Sequence, residues 1–260
     1  QAISDAGITL APDSVAPTIN ASTTPALTNA GNVITLAGGN VVEYFSITNT
    51  SGSAMLGNAA GSGTSTIHDI AVSNTSGNGV NLTANLGTVN FSNLTIATSS
   101  GNAFAATGGG TINATQDNVS TINTLTSTTG VALNVSNTTI GASGMTFRSI
   151  FAGTAASGPS KGIVLNNTGN SGGLTVSGTG SAGSGGIIQK ATGNAVELIS
   201  TKAPSLSWMN ITNNTGSGIR GDSINGGLAL SNLSVTNSST TTSNCATPSD
   251  TVNCQAVIFL

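Results

Sequence analysis

Apolar and small polar residues alternate along this chain in short bursts, and the bursts return at similar intervals. The clearest recurring phrase is a small residue followed by an apolar one, usually with a glycine two places before the small residue. It reads Gly52-Ser53-Ala54-Met55, Gly77-Asn78-Gly79-Val80, Gly101-Asn102-Ala103-Phe104, Gly193-Asn194-Ala195-Val196 and Gly216-Ser217-Gly218-Ile219. Shorter copies stand at Gly130-Val131, Gly162-Ile163 and Ala256-Val257. Anchored on Ala54, Gly79, Ala103, Gly130, Gly162, Ala195, Gly218 and Ala256, successive copies are 25, 24, 27, 32, 33, 23 and 38 residues apart. A period of this length marks a solenoid, in which each repeat buries its apolar face only against its neighbours.

Two further period-2 segments accompany each copy. One opens on Asn or Asp, as in Asp69-Ile70-Ala71-Val72, Asn93-Leu94-Thr95-Ile96, Asn210-Ile211-Thr212 and Asn232-Leu233-Ser234-Val235. The other follows a glycine, as in Gly87-Thr88-Val89-Asn90-Phe91, Gly110-Thr111-Ile112, Gly172-Gly173-Leu174 and Gly226-Gly227-Leu228. Three short alternating strands per repeat, separated by Gly, Asn and Ser, predict an all-β chain wound as a parallel β-helix of about eight coils. Gly and Asn suit its corners because they adopt positive φ at little cost. No segment keeps a 3.6-residue apolar period, which excludes helical solenoids. The pattern predicts one interior column of Ile70, Leu94, Ile211 and Leu233 and another of Val80, Phe104, Val196 and Ile219. At roughly 4.8 Å per coil the stack would be on the order of 40 Å long, with a thin core needing no aromatic centre.

Composition sharpens this picture. Only 5% of residues are charged and 3% aromatic, and 35 are glycine. Such a polar chain could be disordered, but 37% of it is hydrophobic and periodically placed, so the solenoid is the stronger reading. The net charge of -3 and five scattered basic residues argue against nucleic acid or an anionic membrane surface as partner. No apolar run approaches the roughly twenty residues of a membrane-spanning helix.

Residues 1–30 stand apart as an irregular N-terminal extension with Pro12, Pro17 and Pro25, and from 31 to 260 the repeats run as one domain. The longer steps place insertions around 141–160, 178–190 and 238–253. The sequence opens on Gln1, which reads as a removed leader or an excised piece. Cys245 and Cys254 bracket a turn-rich segment in a loop over 238–254 and read as a disulfide. A loop-stapling bridge implies an oxidising space outside the cytosol. With the lone His68 these cysteines supply too few ligands for a metal site, and no cofactor motif is present.

Catalytic chemistry is sparse. The carboxylates are Asp5, Asp13, Glu43, Asp69, Asp117, Glu197, Asp222 and Asp250, mostly on different coils. Paired acid/base carboxylates must lie within roughly 5–10 Å. Glu43 and Asp69, and Glu197 and Asp222, fall on neighbouring coils, but at strand positions that do not match. His68-Asp69 resembles half of a triad, although adjacent strand residues face opposite sides, and a corner is the better reading. Arg220-Gly221-Asp222 reads as a strand end held by an Arg–Asp contact rather than a receptor-binding tripeptide. The many Asn-x-Ser/Thr sequons, such as those at Asn74, Asn93, Asn134, Asn210 and Asn232, follow from composition. Regular Thr-x-Thr columns do not recur. Trp208 and Tyr44 are the only Trp and Tyr, too few for an aromatic sugar-binding platform.

The phrases Gly130-Val131-Ala132-Leu133-Asn134-Val135, Gly162-Ile163-Val164-Leu165-Asn166 and Gly173-Leu174-Thr175-Val176 resemble those of large secreted bacterial right-handed β-helix repeat proteins, similar in architecture to adhesin and autotransporter passengers. The likeness covers residues 31–260. It implies a right-handed helix, an extracellular or cell-surface location and a structural or adhesive role, and it carries no active site across. The resulting expectation is a non-enzymatic module, in contact with itself, a surface glycan or a host surface. A carbohydrate-active or carbohydrate-binding β-helix is the alternative. The apolar strand containing Val257 and Phe259 and the extended segment containing Ile8 and Leu10 further suggest head-to-tail association, in which one subunit's extension caps or donates a strand to the next. A portion of a longer chain would explain the same features.

Overall fold

The computed structural model describes residues 26–58, 61–84, 87–238 and 257–259. All regular structure among them is β, and every strand pairing is parallel. The chain winds as a solenoid with three faces per coil. The first face contains residues 64–68, 88–92 and Thr111–Thr115, the second 70–75, 94–98 and Thr124–Ser127, and the third Val80–Leu82, Phe104–Ala106 and Leu133–Ser136.

The third face is the recurring phrase made visible. Nine strands stack on it, and one inward column runs Ile34, Met55, Val80, Phe104, Leu133, Ile163, Val196 and Ile219, with Val257 next to Ile219 in backbone register. Nine stacked strands make about eight turns. The expected column of Val80, Phe104, Val196 and Ile219 is therefore present in full. One copy shifts: Leu133, not Val131, occupies the column, so that repeat reads Gly130-Val131-Ala132-Leu133. The column also begins one coil earlier, at Gly31-Asn32-Val33-Ile34. The glycine that opens the phrase is needed for close backbone stacking. A Cβ on Gly77 would lie 1.8 Å from the Gly52 carbonyl oxygen, and one on Gly101 would lie 2.0 Å from that of Gly77.

The other expected column is corrected. Ile70 does stack on Leu94, but Ile211 pairs with Ile188 and Val235, two inward positions further along the second face. Leu233 is only half-buried and does not oppose Ile211. Insertions shift the apparent phase of a period-2 strand without changing its look, so sequence spacing alone misaligned these coils. One insertion lies within the first face, where register slips between Ile140 and Met145 and residues 141–144 form a bulge. Nor is the core free of aromatics. Phe91, Phe104 and Phe147 are fully buried, with edge-to-face contacts at centroid separations of 5.1 and 6.5 Å.

Corners are single residues at positive φ. Tyr44, Asp69 and Asn93 (φ 62, 56 and 52°) bend continuous strands from the first face into the second. Asn49 and Asn74 turn out of the second face, and Asn137 and Asn167 out of the third. Asparagine tolerates this conformation, and its amide can bond its stacked equivalent. Asn167 Nδ2 donates to Asn137 Oδ1 at 3.0 Å, and Asn237 Nδ2 to Asn213 Oδ1 at 3.3 Å. The residue after the corner turns inward. Thr75 and Thr138 are buried and each donates its hydroxyl to the carbonyl two residues back, at 3.1 Å. Several sequons are therefore corner grammar: an asparagine at the bend, then a polar residue that closes it.

Candidate functional site

Coil stacking assembles two clusters of charged side chains. The first stands at the bend between the first and second faces. Glu43 and His68 are direct partners on adjacent coils, and His68 Nε2 lies 2.8 Å from Glu43 Oε2. His68 Nδ1 lies 2.5 Å from Asp69 Oδ2. Strand alternation would send His68 and Asp69 to opposite sides, but the positive φ of Asp69 breaks that alternation and brings both outward. The expectation of opposed side chains is corrected, while the reading of Asp69 as a corner holds. Asn93, the next corner along, donates to Asp69 Oδ1, and the Tyr44 ring meets the imidazole edge-on at 5.5 Å. The two carboxylates sit on opposite ring nitrogens and do not converge on one point, and among the described residues no group of three or more His, Cys, Asp or Glu is disposed to hold a metal ion.

The second cluster lies on the outer side of the third face. Glu197 opposes Arg220 on the next coil, and Asp222 follows Arg220 by two positions on the same side. Lys161 Nζ lies 2.5 Å from Glu197 Oε1, Asn194 Nδ2 donates to Glu197 Oε2 at 3.1 Å, and Arg220 approaches the same oxygen at 3.8 Å. Arg220 also reaches Asp222 at 3.6 Å, so the expected Arg–Asp contact is present. Glu197 and Asp222 do belong to one network, through Arg220, although their strand positions differ. The Glu197 side chain is only 10% exposed. Its burial, the largest single influence, raises the pKa. The bonds from Lys161 and Asn194, with the charges of Lys161 and Arg220, outweigh that and hold it below its ordinary value.

Asp117 plays a third, local part. Ser120 donates its hydroxyl to one oxygen, and the backbone N–H groups of Val119, Ser120 and Thr121 donate to the other. The Ser120 hydroxyl and these N–H groups hold the carboxyl well below the usual range. The loop it organises presents Asn118, whose Oδ1 and carbonyl oxygen accept from Arg148 at 2.9 and 2.8 Å.

Of the residues singled out from sequence, Cys245, Cys254, Ile8 and Leu10 lie outside the described residues, as do the extension over 1–25 and most of the cysteine loop. Val257 and Phe259 lie in a third-face strand, paired with Ile219 and Gly221, and this strand is outermost in its sheet. Lys161 was not singled out from sequence, and Asn194 was read only as part of the repeat phrase. They are 33 residues apart, and only the register of Ile163 with Val196 makes them neighbours. The available signal was their shared place two residues before an inward apolar residue.

The fold thus defines a parallel β-solenoid. Comparison with known proteins found no matching family model, no matching curated protein and no matching solved structure.

Proposed function

We propose that this chain is a non-enzymatic extracellular β-solenoid module that serves a structural or adhesive role at a cell surface. The observation that carries this reading is the use made of its few charged groups. Glu43, Asp69, Glu197, Arg220 and Asp222 are joined to partners on neighbouring coils or within their own strand, so they tie coil to coil. A lowered Glu197 suits an ion-pair member and not the proton-donating acid of a glycosidase, whose pKa is raised. Solenoids of this kind present long, repetitive outer faces, and here short Ser, Thr and Asn side chains form much of them, a surface suited to hydrogen bonding with a glycan or host surface.

Self-association is the second part of the proposal. The inward column Phe147, Val176, Leu206 and Leu230 is fully buried until its last member, which is 39% exposed. A further coil would cover Leu230, supplied by a second copy or by more of the same chain. Ile8, Leu10, Val257 and Phe259 are the residues we assign to that contact.

The test is binding of the labelled chain to an array of glycans and extracellular-matrix proteins, run beside an assay for new reducing ends on the same polysaccharides. Saturable binding without cleavage supports the module. Release of reducing ends that Glu197→Gln abolishes would establish the carbohydrate-active alternative instead.

A further inference from the structure

The Lys161 cluster has a composition that an ion pair alone does not require. Residues two before the inward apolar column form a stack of their own, in register from coil to coil: Asn78, Asn102, Val131, Lys161, Asn194 and Ser217. In this stack an asparagine Oδ1 accepts the backbone N–H of the next coil. Asn78 does so from Asn102 at 2.8 Å, Asn102 from Val131 at 3.1 Å and Asn194 from Ser217 at 3.2 Å. Lys161 takes one place in the stack, directly against Asn194. The amine of Lys161 and the amide nitrogen of Asn194 then meet across a single carboxylate, each bound to a different oxygen of Glu197.

We propose that Lys161 and Asn194 form an intramolecular isopeptide bond, with Glu197 as the proton carrier. Glu197 takes a proton from the Lys161 ammonium, and the neutral amine so formed attacks Asn194 Cγ. Negative charge gathering on Asn194 Oδ1 meets the N–H of Ser217, which already donates to that oxygen. Glu197 then returns the proton to Asn194 Nδ2, to which it is already bonded, and the C–N bond breaks. The attacking nitrogen gives up its second surplus proton to the departing ammonia, so the products are a secondary amide joining the two side chains and one ammonium ion. No oxidant or co-reactant is consumed, and Glu197 is regenerated. Holding amine, amide and base together on a stacked scaffold supplies the proximity that makes an otherwise very slow amide exchange feasible. Arg220, 3.8 Å from Glu197, favours the ionised carboxylate and so slows the transfer from Lys161. Completion is accordingly read over time. The cross-link would fasten two neighbouring coils, and its formation does not depend on what the outer surface binds.

Intact-mass measurement of the purified, folded chain, followed over days, tests this. The expected result is a loss equal to one ammonia per chain, with a protease fragment in which Lys161 and Asn194 are linked. Lys161→Asn and Asn194→Ser place residues that other coils already carry in this stack, so these variants keep the fold, checked by circular dichroism, and retain the full mass. Glu197→Gln keeps only one of the two acceptor oxygens and cannot carry the proton, and it slows the loss at least tenfold. A wild-type chain that keeps its full mass, or one that loses ammonia but gains water by deamidation at Asn194, would overturn the proposal.

Discussion

Phe104 stands in the third-face column, edge-on to Phe91 and Phe147, and all three are fully buried. Truncation to Ala removes both ring contacts and leaves a cavity that the stacked backbones cannot close, so Phe104→Ala should cost about 3–5 kcal/mol, measured by urea unfolding. Leu94→Asp should cost several kcal/mol by placing an unpaired charge at a site with no exposure. Glu197 makes a different prediction. Its pKa is lowered on folding, so its contribution to stability is complete above the ordinary glutamate range and is lost as pH falls through the folded value. Wild-type stability, read by urea unfolding at successive pH values, should therefore hold above the ordinary glutamate range and fall as pH drops from there towards the folded value. Glu197→Gln should flatten that part of the curve while lowering stability at pH 7.

Strands and corners carry the next level. A corner residue such as Asn167, at φ 55° and bonded to Asn137, sits where a Cβ-bearing residue without a compensating amide is strained. Asn167→Ala should destabilise by about 1–2 kcal/mol, whereas Asn167→Gly should lose only the ladder bond. Finding the Ala and Gly variants equal in thermal midpoint would show that the ladder, and not backbone strain, sets the corner. The cysteine loop makes an element-scale prediction too. Thiol titration of unreduced, denatured chain should find no reactive groups, and reduction should loosen the loop while leaving the coils folded. Two reactive thiols would refute the bridge between Cys245 and Cys254.

At the scale of the whole molecule, the strands of each coil pair only with those of its neighbours, so stability is carried mainly as a chain of local interfaces. If self-association covers the exposed end at Leu230, sedimentation should show growth with concentration. Deletion of residues 1–12 should abolish that growth and preserve the β-rich fold. Growth unchanged by the deletion would remove Ile8 and Leu10 from the contact.

Much of this architecture was legible in the chain because its cause is local. The phrase Gly-x-small-apolar fixes where a strand enters the third face: the glycine permits backbone contact with the coil below, and the apolar residue fills the core. Seven of the eight apolar residues read after the anchors, from Met55 to Val257, stand in one backbone register on the third face. Corner asparagines were equally readable, since positive φ is a property of the single residue. Only tertiary structure decided which residue faces which. Val131 and Leu133 alternate identically in sequence, and the neighbouring coil's hydrogen bonds choose Leu133. Ile211 left its expected column because insertions of unequal length accumulate between coils. The same reason hid both charged clusters. Glu43 meets His68, and Lys161 meets Asn194 and Glu197, across steps of 25, 33 and 36 residues. No fixed period predicts those three steps together. Only the backbone ladder, which absorbs every insertion in a loop or bulge and restores register on the strand, brings them together.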